Sequence, residues 1–192
     1  MSSPATRELL LATAWRLMRE DAPSASMARI AKEAGVSRQA VYLHFETRAG
    51  LLLALVRWTD ERERFFDRLD PVRFPDDPRR TLEGYVRVWL DYLPTLHPVP
   101  GYLARAKHDP AARAAWADRM VALEKVYAEP IGALHRAGEL RRGLGPKRAR
   151  GAVRAIASVH AWEHLAVDQG WPQKRCVDTL WRGAEAAILP SR

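Results

Sequence analysis

The chain has one cysteine, Cys176, in 192 residues. An internal disulfide and a cysteine-built metal site are therefore excluded. Long apolar runs are missing as well. Although 47% of the residues are hydrophobic, no stretch reaches the roughly 18 consecutive positions that a bilayer-spanning helix needs. The first twenty residues lack the basic, apolar and small-residue succession of a secretion signal, and Glu8 and Glu20 interrupt them, so a cytoplasmic chain is expected. No strand alternation or internal repeat is convincing. A Gly-rich phosphate loop and a Gly-x-Ser-x-Gly elbow are absent. His160 and His164 stand one helical turn apart beside Glu163. However, Ala161 occupies the place where a metalloprotease motif carries its glutamate, and no third ligand is in register. No enzyme activity, cofactor or metal is expected.

The net charge is +8, and its distribution matters more than its size. Residues 1–50 hold seven Lys/Arg against five Asp/Glu, whereas the stretch from Arg136 to Arg154 holds seven against one, Glu139. A positive chain favours approach to DNA through long-range attraction. The basic excess nevertheless lies mostly outside the first fifty residues, which hold the most informative segment, and Arg136–Arg154 reads as a solvated loop and helix start.

That segment is residues 26–48. Met27, Ile30, Ala31 and Ala34 fall at i, i+3, i+4 and i+7, the apolar stripe of a short helix. Ser26 precedes it and can cap its free amides. Gly35 follows where the chain must leave the helix, since glycine adopts a left-handed conformation without a Cβ clash. Ser37 can cap a second helix from Arg38 to Phe45, with Val41 and Phe45 inward at i, i+4. Its other side offers Arg38, Gln39, Tyr42 and His44. Two short helices across a tight turn let the second enter the major groove of DNA. Arg38 and Gln39 sit at its N-terminal end; arginine suits guanine O6/N7 and glutamine suits adenine N6/N7. Tyr42 can reach a thymine methyl or a phosphate. His44 and Arg48 are better placed for phosphates, and Ser26 and Ser37 for backbone contacts near helix N-termini. Tyr42 and His44 can equally brace the turn.

These residues resemble the tetracycline-repressor (TetR) family of bacterial transcription regulators. The resemblance runs through Leu10, Leu11, Ala14 and Leu17; Ile30-Ala31-Lys32-Glu33-Ala34-Gly35-Val36-Ser37; Tyr42-Leu43-His44-Phe45; and Arg48, Leu51 and Leu52. It covers roughly the first 60 residues, with many positions in register. It departs from the family in three places. Arg48 stands where lysine is usual, which keeps the charge and changes its geometry. Asp21-Ala22-Pro23 turns the chain where a glycine is usual, and Gly50 sits in the first turn of the fourth helix, a local weakness of up to about 1 kcal/mol. The resemblance implies an all-α fold: a three-helix head with a helix-turn-helix (residues 1–48, motif about 27–45) and a helical body (residues 49–192). About nine helices are expected in total. It also implies a two-fold dimer through the last two long helices, double-stranded DNA with a palindromic operator as partner, and a small-molecule effector.

Periodicity and breakers outline the body. Leu51, Leu55, Trp58, Arg62, Phe65 and Leu69 mark a long fourth helix, interrupted by Pro71, Pro75 and Pro78. Leu82, Tyr85, Val86, Trp89 and Leu93 form a fifth, stopping near Pro94. A short sixth is expected over Tyr102–Lys107. A seventh opens at Asp109-Pro110 and ends near Gly138, with a kink at Pro130. An eighth runs from Gly145-Pro146 to about Gln169, and a ninth from about Gln173 to Leu189. On the ninth, Val177, Leu180, Trp181, Ala184 and Ile188 share one stripe and are the candidate dimer seam, unless they pack on their own subunit. Trp89, Tyr102, Trp116, Met120 and His160 are candidates to line an effector pocket for a flat apolar or cationic molecule, unless they are plain core. The expected function is a ligand-responsive DNA-binding regulator, most simply a repressor. The alternative is a helical adaptor that uses its aromatic body to bind a partner protein.

Overall fold

Ser26 and Ser37 do what their positions suggest. In the computed structural model, which describes residues 3–20, 26–97 and 110–190, each serine hydroxyl accepts an amide hydrogen bond three residues on, from Arg29 (3.2 Å) and from Ala40 (3.1 Å). They open helices α2 (Met27–Glu33) and α3 (Arg38–Phe45), which follow α1 (Pro4–Glu20) and precede α4 (Arg48–Arg62). Five more α-helices follow: α5 (Pro78–Leu96), α6 (Pro110–Arg136), α7 (Pro146–Ile156), α8 (Val159–Glu163) and α9 (Gln173–Ile188). Among the described residues there is no strand, and no helix is long and apolar enough to cross a membrane. The expected turn at Asp21-Ala22-Pro23 and the expected sixth helix at Tyr102–Lys107 lie outside the described residues.

The chain divides into two compact units, Met1–Arg64 with Leu96–Arg119, and Phe65–Thr95 with Met120–Arg192. In the first, α1, α2, α3 and α4 pack on one another around Leu10, Leu11, Leu17, Ile30, Val41 and Leu55. The helix α4, which the sequence reading gave to the body, belongs to this core. Its Leu51, Leu52, Leu55 and Val56 are buried there, each at 2% exposure or less. The Trp58 indole donates to the Glu8 carboxylate (2.8 Å), which ties α4 to the start of α1.

The fourth helix is shorter than its pattern implied. It ends at Arg62, Arg64 takes a left-handed φ of 51°, and two 3₁₀ turns follow at Phe66–Arg68 and Asp70–Val72. Phe65 and Leu69 are buried as the periodicity expected, but from the turn positions that flank the first 3₁₀ segment. Conversely, α5 runs on through Pro94, its expected stop, to Leu96, while α6 passes Pro130 and ends at Arg136, close to where its pattern placed the end.

In the second unit, α7 and α9 pack side by side. The expected eighth helix breaks in two. Ser158 caps a new helix by accepting the Ala161 amide (3.2 Å), and α8 continues as one π-type turn, His164–Asp168. The break leaves the Ala157 carbonyl open, and the Trp89 indole donates to it (2.8 Å). Around Trp89 the aromatics are close-packed. Phe65 lies edge-on to it (centroids 6.2 Å apart, 80°) and stacks on Tyr92 (4.9 Å, 21°). Ion pairs clamp α5 to α9: Arg79 to Glu185 (2.8 Å) and Arg87 to Asp178 (2.7 Å). The Arg87 hydrogen bond holds the Asp178 carboxyl below its ordinary pKa.

Candidate nucleic-acid interface

The turn between α2 and α3 is set by backbone hydrogen bonds. The Val36 amide donates to the Ala31 carbonyl (3.0 Å) and the Gly35 amide to that of Lys32 (3.2 Å), with Gly35 at φ 66°. These two bonds close a Schellman end, which needs a left-handed residue at Gly35. Val36 then packs back on the head core. The chain re-enters a helix within two residues, and α3 leaves α2 at a fixed angle.

On α3, Val41 and Phe45 are buried, at 0% and 5% exposure, while Arg38, Gln39, Tyr42 and Leu43 face outward. This outer arc is the exposed side of α3. Arg38 and Gln39 stand in its first turn, exposed, with side chains long enough to reach base edges. Tyr42 follows one turn later at 44% exposure. Ser26 and Ser37 are exposed too; their oxygens accept the capping bonds, which leaves each hydroxyl hydrogen able to donate to a phosphate.

His44 and Arg48 are placed differently. His44 is half-buried, its ring tilted against that of Phe45 with centroids 5.9 Å apart, so it braces the inner side of α3. Arg48 is half-buried at the first position of α4, with its Nε enclosed by the protein. Leu43, which was not among the expected contacts, stands one turn beyond Gln39 on the same exposed side. The signal was present: a leucine at i+4 from an outward glutamine cannot share the stripe of Val41 and Phe45.

The joint behind α3 is tight. Glu46 sits at φ 56° and ψ −48°, and the Thr47 amide donates back to the Phe45 carbonyl (2.5 Å), a γ-turn uncommon for a residue with a side chain. Thr47 then caps α4 by accepting the Gly50 amide (3.0 Å). A Cβ on Gly50 would collide with the Phe45 carbonyl oxygen. Gly50 is therefore more than the helix weakness its position suggested, because it lets the end of α3 lie against the first turn of α4.

The effector candidates do not form one described cluster. Trp89 is at 1% exposure inside the aromatic core, Met120 is half-buried on α6, and His160 is exposed on α8 with Nδ1 3.9 Å from Glu163. Tyr102 and the Trp116 side chain lie outside the described residues. A cleft of about 400 Å³ opens instead beside His135, Arg141 and Arg142, at the connection of α6 to α7. Three of the seven basic side chains in Arg136–Arg154 are engaged within the fold: Arg150 and Arg154 both reach Glu124 (3.4 Å each), and the Arg141 Nε donates to the Leu189 carbonyl (3.2 Å).

The candidate dimer seam is buried inside the protomer. Val177, Leu180, Trp181, Ala184 and Ile188 are all at 7% exposure or less within the single chain. Their stripe faces their own unit, and α9 turns Lys174, Arg175, Thr179, Arg182, Gly183 and Ala186 outward.

The sequence model of the family described as bacterial regulatory proteins, tetR family, matches residues 10–55, which run from α1 into α4. Searching curated protein sequences yields no match. Among solved structures, the fold is similar to a TetR-family transcriptional regulator from Rhodococcus sp. (TM-score 0.74, 21% identity, 94% of this chain and 97% of that one). It is similar also to a transcriptional regulator from Saccharomonospora viridis in complex with choline (TM-score 0.72, 20% identity, 98% and 100%). A third is the regulator FadR from Bacillus subtilis in complex with stearoyl-CoA (TM-score 0.73, 15% identity, 94% and 98%).

Proposed function

We infer that this chain, a member of the tetR family of bacterial regulatory proteins through its head, is a ligand-responsive DNA-binding transcription regulator, most simply a repressor. One observation carries the reading. Capped α2, the Gly35 turn and capped α3 present Arg38, Gln39 and Tyr42 on one exposed arc, while the opposite side of the same helix is locked into a core. Such a helix can enter a major groove as a rigid body, with its N-terminal residues toward the base edges. The arrangement binds and positions; the role asks for no bond-making chemistry.

A single eight-residue helix covers few base pairs, so the reading includes a homodimer with two heads on a palindromic operator. Because the Leu180 stripe is buried within the protomer, the two-fold contact would use outward faces of the last helices, such as that of Ala186 on α9. The effector is a small apolar or cationic molecule. Supporting this, one similar fold holds choline, a cation, and another holds stearoyl-CoA, with its long apolar chain. In this chain the Trp89 cluster is closed, so an effector using it would bind a form in which the aromatics have parted. A ligand that prefers that form shifts the balance by its differential affinity, and operator DNA must weaken the ligand by the same factor.

The test is binding by the full-length protein to a duplex it selects from a random pool. A preferred, two-fold symmetric sequence is expected, with affinity falling steeply with salt. Compounds that shift tryptophan fluorescence should also release that duplex. Equal binding to every duplex would refute a sequence-reading regulator. A preferred duplex that no apolar or cationic compound releases would refute effector gating alone.

A further inference from the structure

We propose that Leu43 is a specificity-determining residue that reads the 5-methyl group of a thymine in the operator. The inference rests on the DNA-reading role proposed above and names what the apolar part of the reading face recognises. Leu43 is 70% exposed, the most exposed of the described large hydrophobic residues. Its own helix has an inner side that could hold an apolar side chain, and Val41 and Phe45 occupy it. At 3.6 residues per turn, Leu43 lies about 40° around the axis from Gln39 and one turn further along, on the arc that carries Arg38 and Tyr42. A groove that receives Gln39 therefore receives Leu43 as well.

The major groove offers hydrogen-bond donors and acceptors and one apolar group, the thymine methyl. An isobutyl side chain gives nothing to a phosphate and cannot replace the water on a guanine O6, a cytosine amino group or an adenine amino group. Facing any of those, it strips a polar edge of its hydrogen bonds. Facing a thymine methyl, it removes two apolar surfaces from water at once. Leu43 thus selects for thymine and against the other three bases, with Arg38 and Gln39 fixing the register in which it is presented. Tyr42, with a ring and a hydroxyl, can serve a methyl or a phosphate; Leu43 has the apolar option alone.

The experiment uses the full-length protein and the duplex it selects, with each thymine replaced in turn by deoxyuridine, which removes the methyl and leaves pairing intact. In the wild type, one replacement per half-site should weaken binding about threefold to tenfold. Leu43→Ala should weaken binding to the unmodified duplex by a similar factor and become indifferent to that same replacement. Its melting temperature, its salt slope and its affinity for an unrelated duplex should match the wild type, because the side chain is exposed. The proposal is overturned if Leu43→Ala keeps full sensitivity to every deoxyuridine position, or if the wild type is sensitive to none. Failure to select any preferred duplex refutes the DNA-reading role itself, and the Leu43 assignment falls with it.

Discussion

Helices α3 and α9 use the same sequence device to different ends. Each buries apolar residues at helical spacing, Val41 and Phe45 on α3 and Val177, Leu180, Trp181, Ala184 and Ile188 on α9. On α3 two inward side chains suffice to fix eight residues, and the outer arc is left with Arg38, Gln39, Tyr42 and Leu43, groups of varied chemistry. On α9 the stripe is longer, and the protomer's own core takes up all of it. A hydrophobic stripe therefore shows that a helix is packed, not what packs on it. A partner is better sought in what the buried stripe leaves facing outward.

Breaking the stripe on α9 should give the largest effect. Leu180→Asp places a carboxylate at a position with 7% exposure and should cost more than about 4 kcal/mol, unfolding the second unit in a thermal melt. Ala186→Glu, on the exposed side, should leave the melt unchanged and yield monomers by sedimentation. If Leu180→Asp instead gives folded monomers, the buried stripe is the seam after all.

Next in size is Trp89. Its removal leaves a cavity and an open Ala157 carbonyl, so Trp89→Ala should lose about 3–5 kcal/mol of stability by chemical denaturation. A variant of near wild-type stability that no longer responds to an effector would show that the site is a pocket rather than filled core.

Gly50→Ala sharpens the comparison within the head. A Cβ against the Phe45 carbonyl must shift the end of α3 or the start of α4, costing about 1–3 kcal/mol. Loss of sequence preference in duplex selection should accompany it, because α3 is re-aimed. At an ordinary exposed helix position the same change would stabilise slightly.

The smallest effects separate two residues of α3. Arg38→Ala should leave the fold intact and cost about 1–3 kcal/mol on the preferred duplex, with relaxed choice at one base pair. His44→Ala should lower the melting temperature modestly and weaken all duplexes alike, since the ring lies against Phe45. Wild-type selectivity in Arg38→Ala would remove it from the reading face.

The head was legible because its signals are local. Ser26, Gly35 and Ser37 act on amides within five residues of themselves, so spacing alone locates the caps and the turn. Leu43 could have been read the same way. His44 could not: whether an imidazole meets solvent or Phe45 depends on rotamers and on how α3 sits against its neighbours. In the body, proline misled in both directions. Pro94 lies inside α5, where a stop was expected, whereas the fourth helix ends at Arg62, well before Pro71. The break at Ala157 was hidden because Ser158 resembles any helical serine until its hydroxyl takes the Ala161 amide and Trp89 claims the carbonyl behind it.

By itself the sequence determined the all-helical fold, the capped helix-turn-helix and the inward side of α3, since helical periodicity and capping are properties of near neighbours in the chain. Tertiary structure decided which stripes were already taken: the α9 seam by its own protomer, Trp89 by the Ala157 carbonyl, and α4 by the head core. It also turned Gly50 from a weakness into a requirement. Both follow from close packing, because what a surface can still bind depends on which distant residues have filled the space against it.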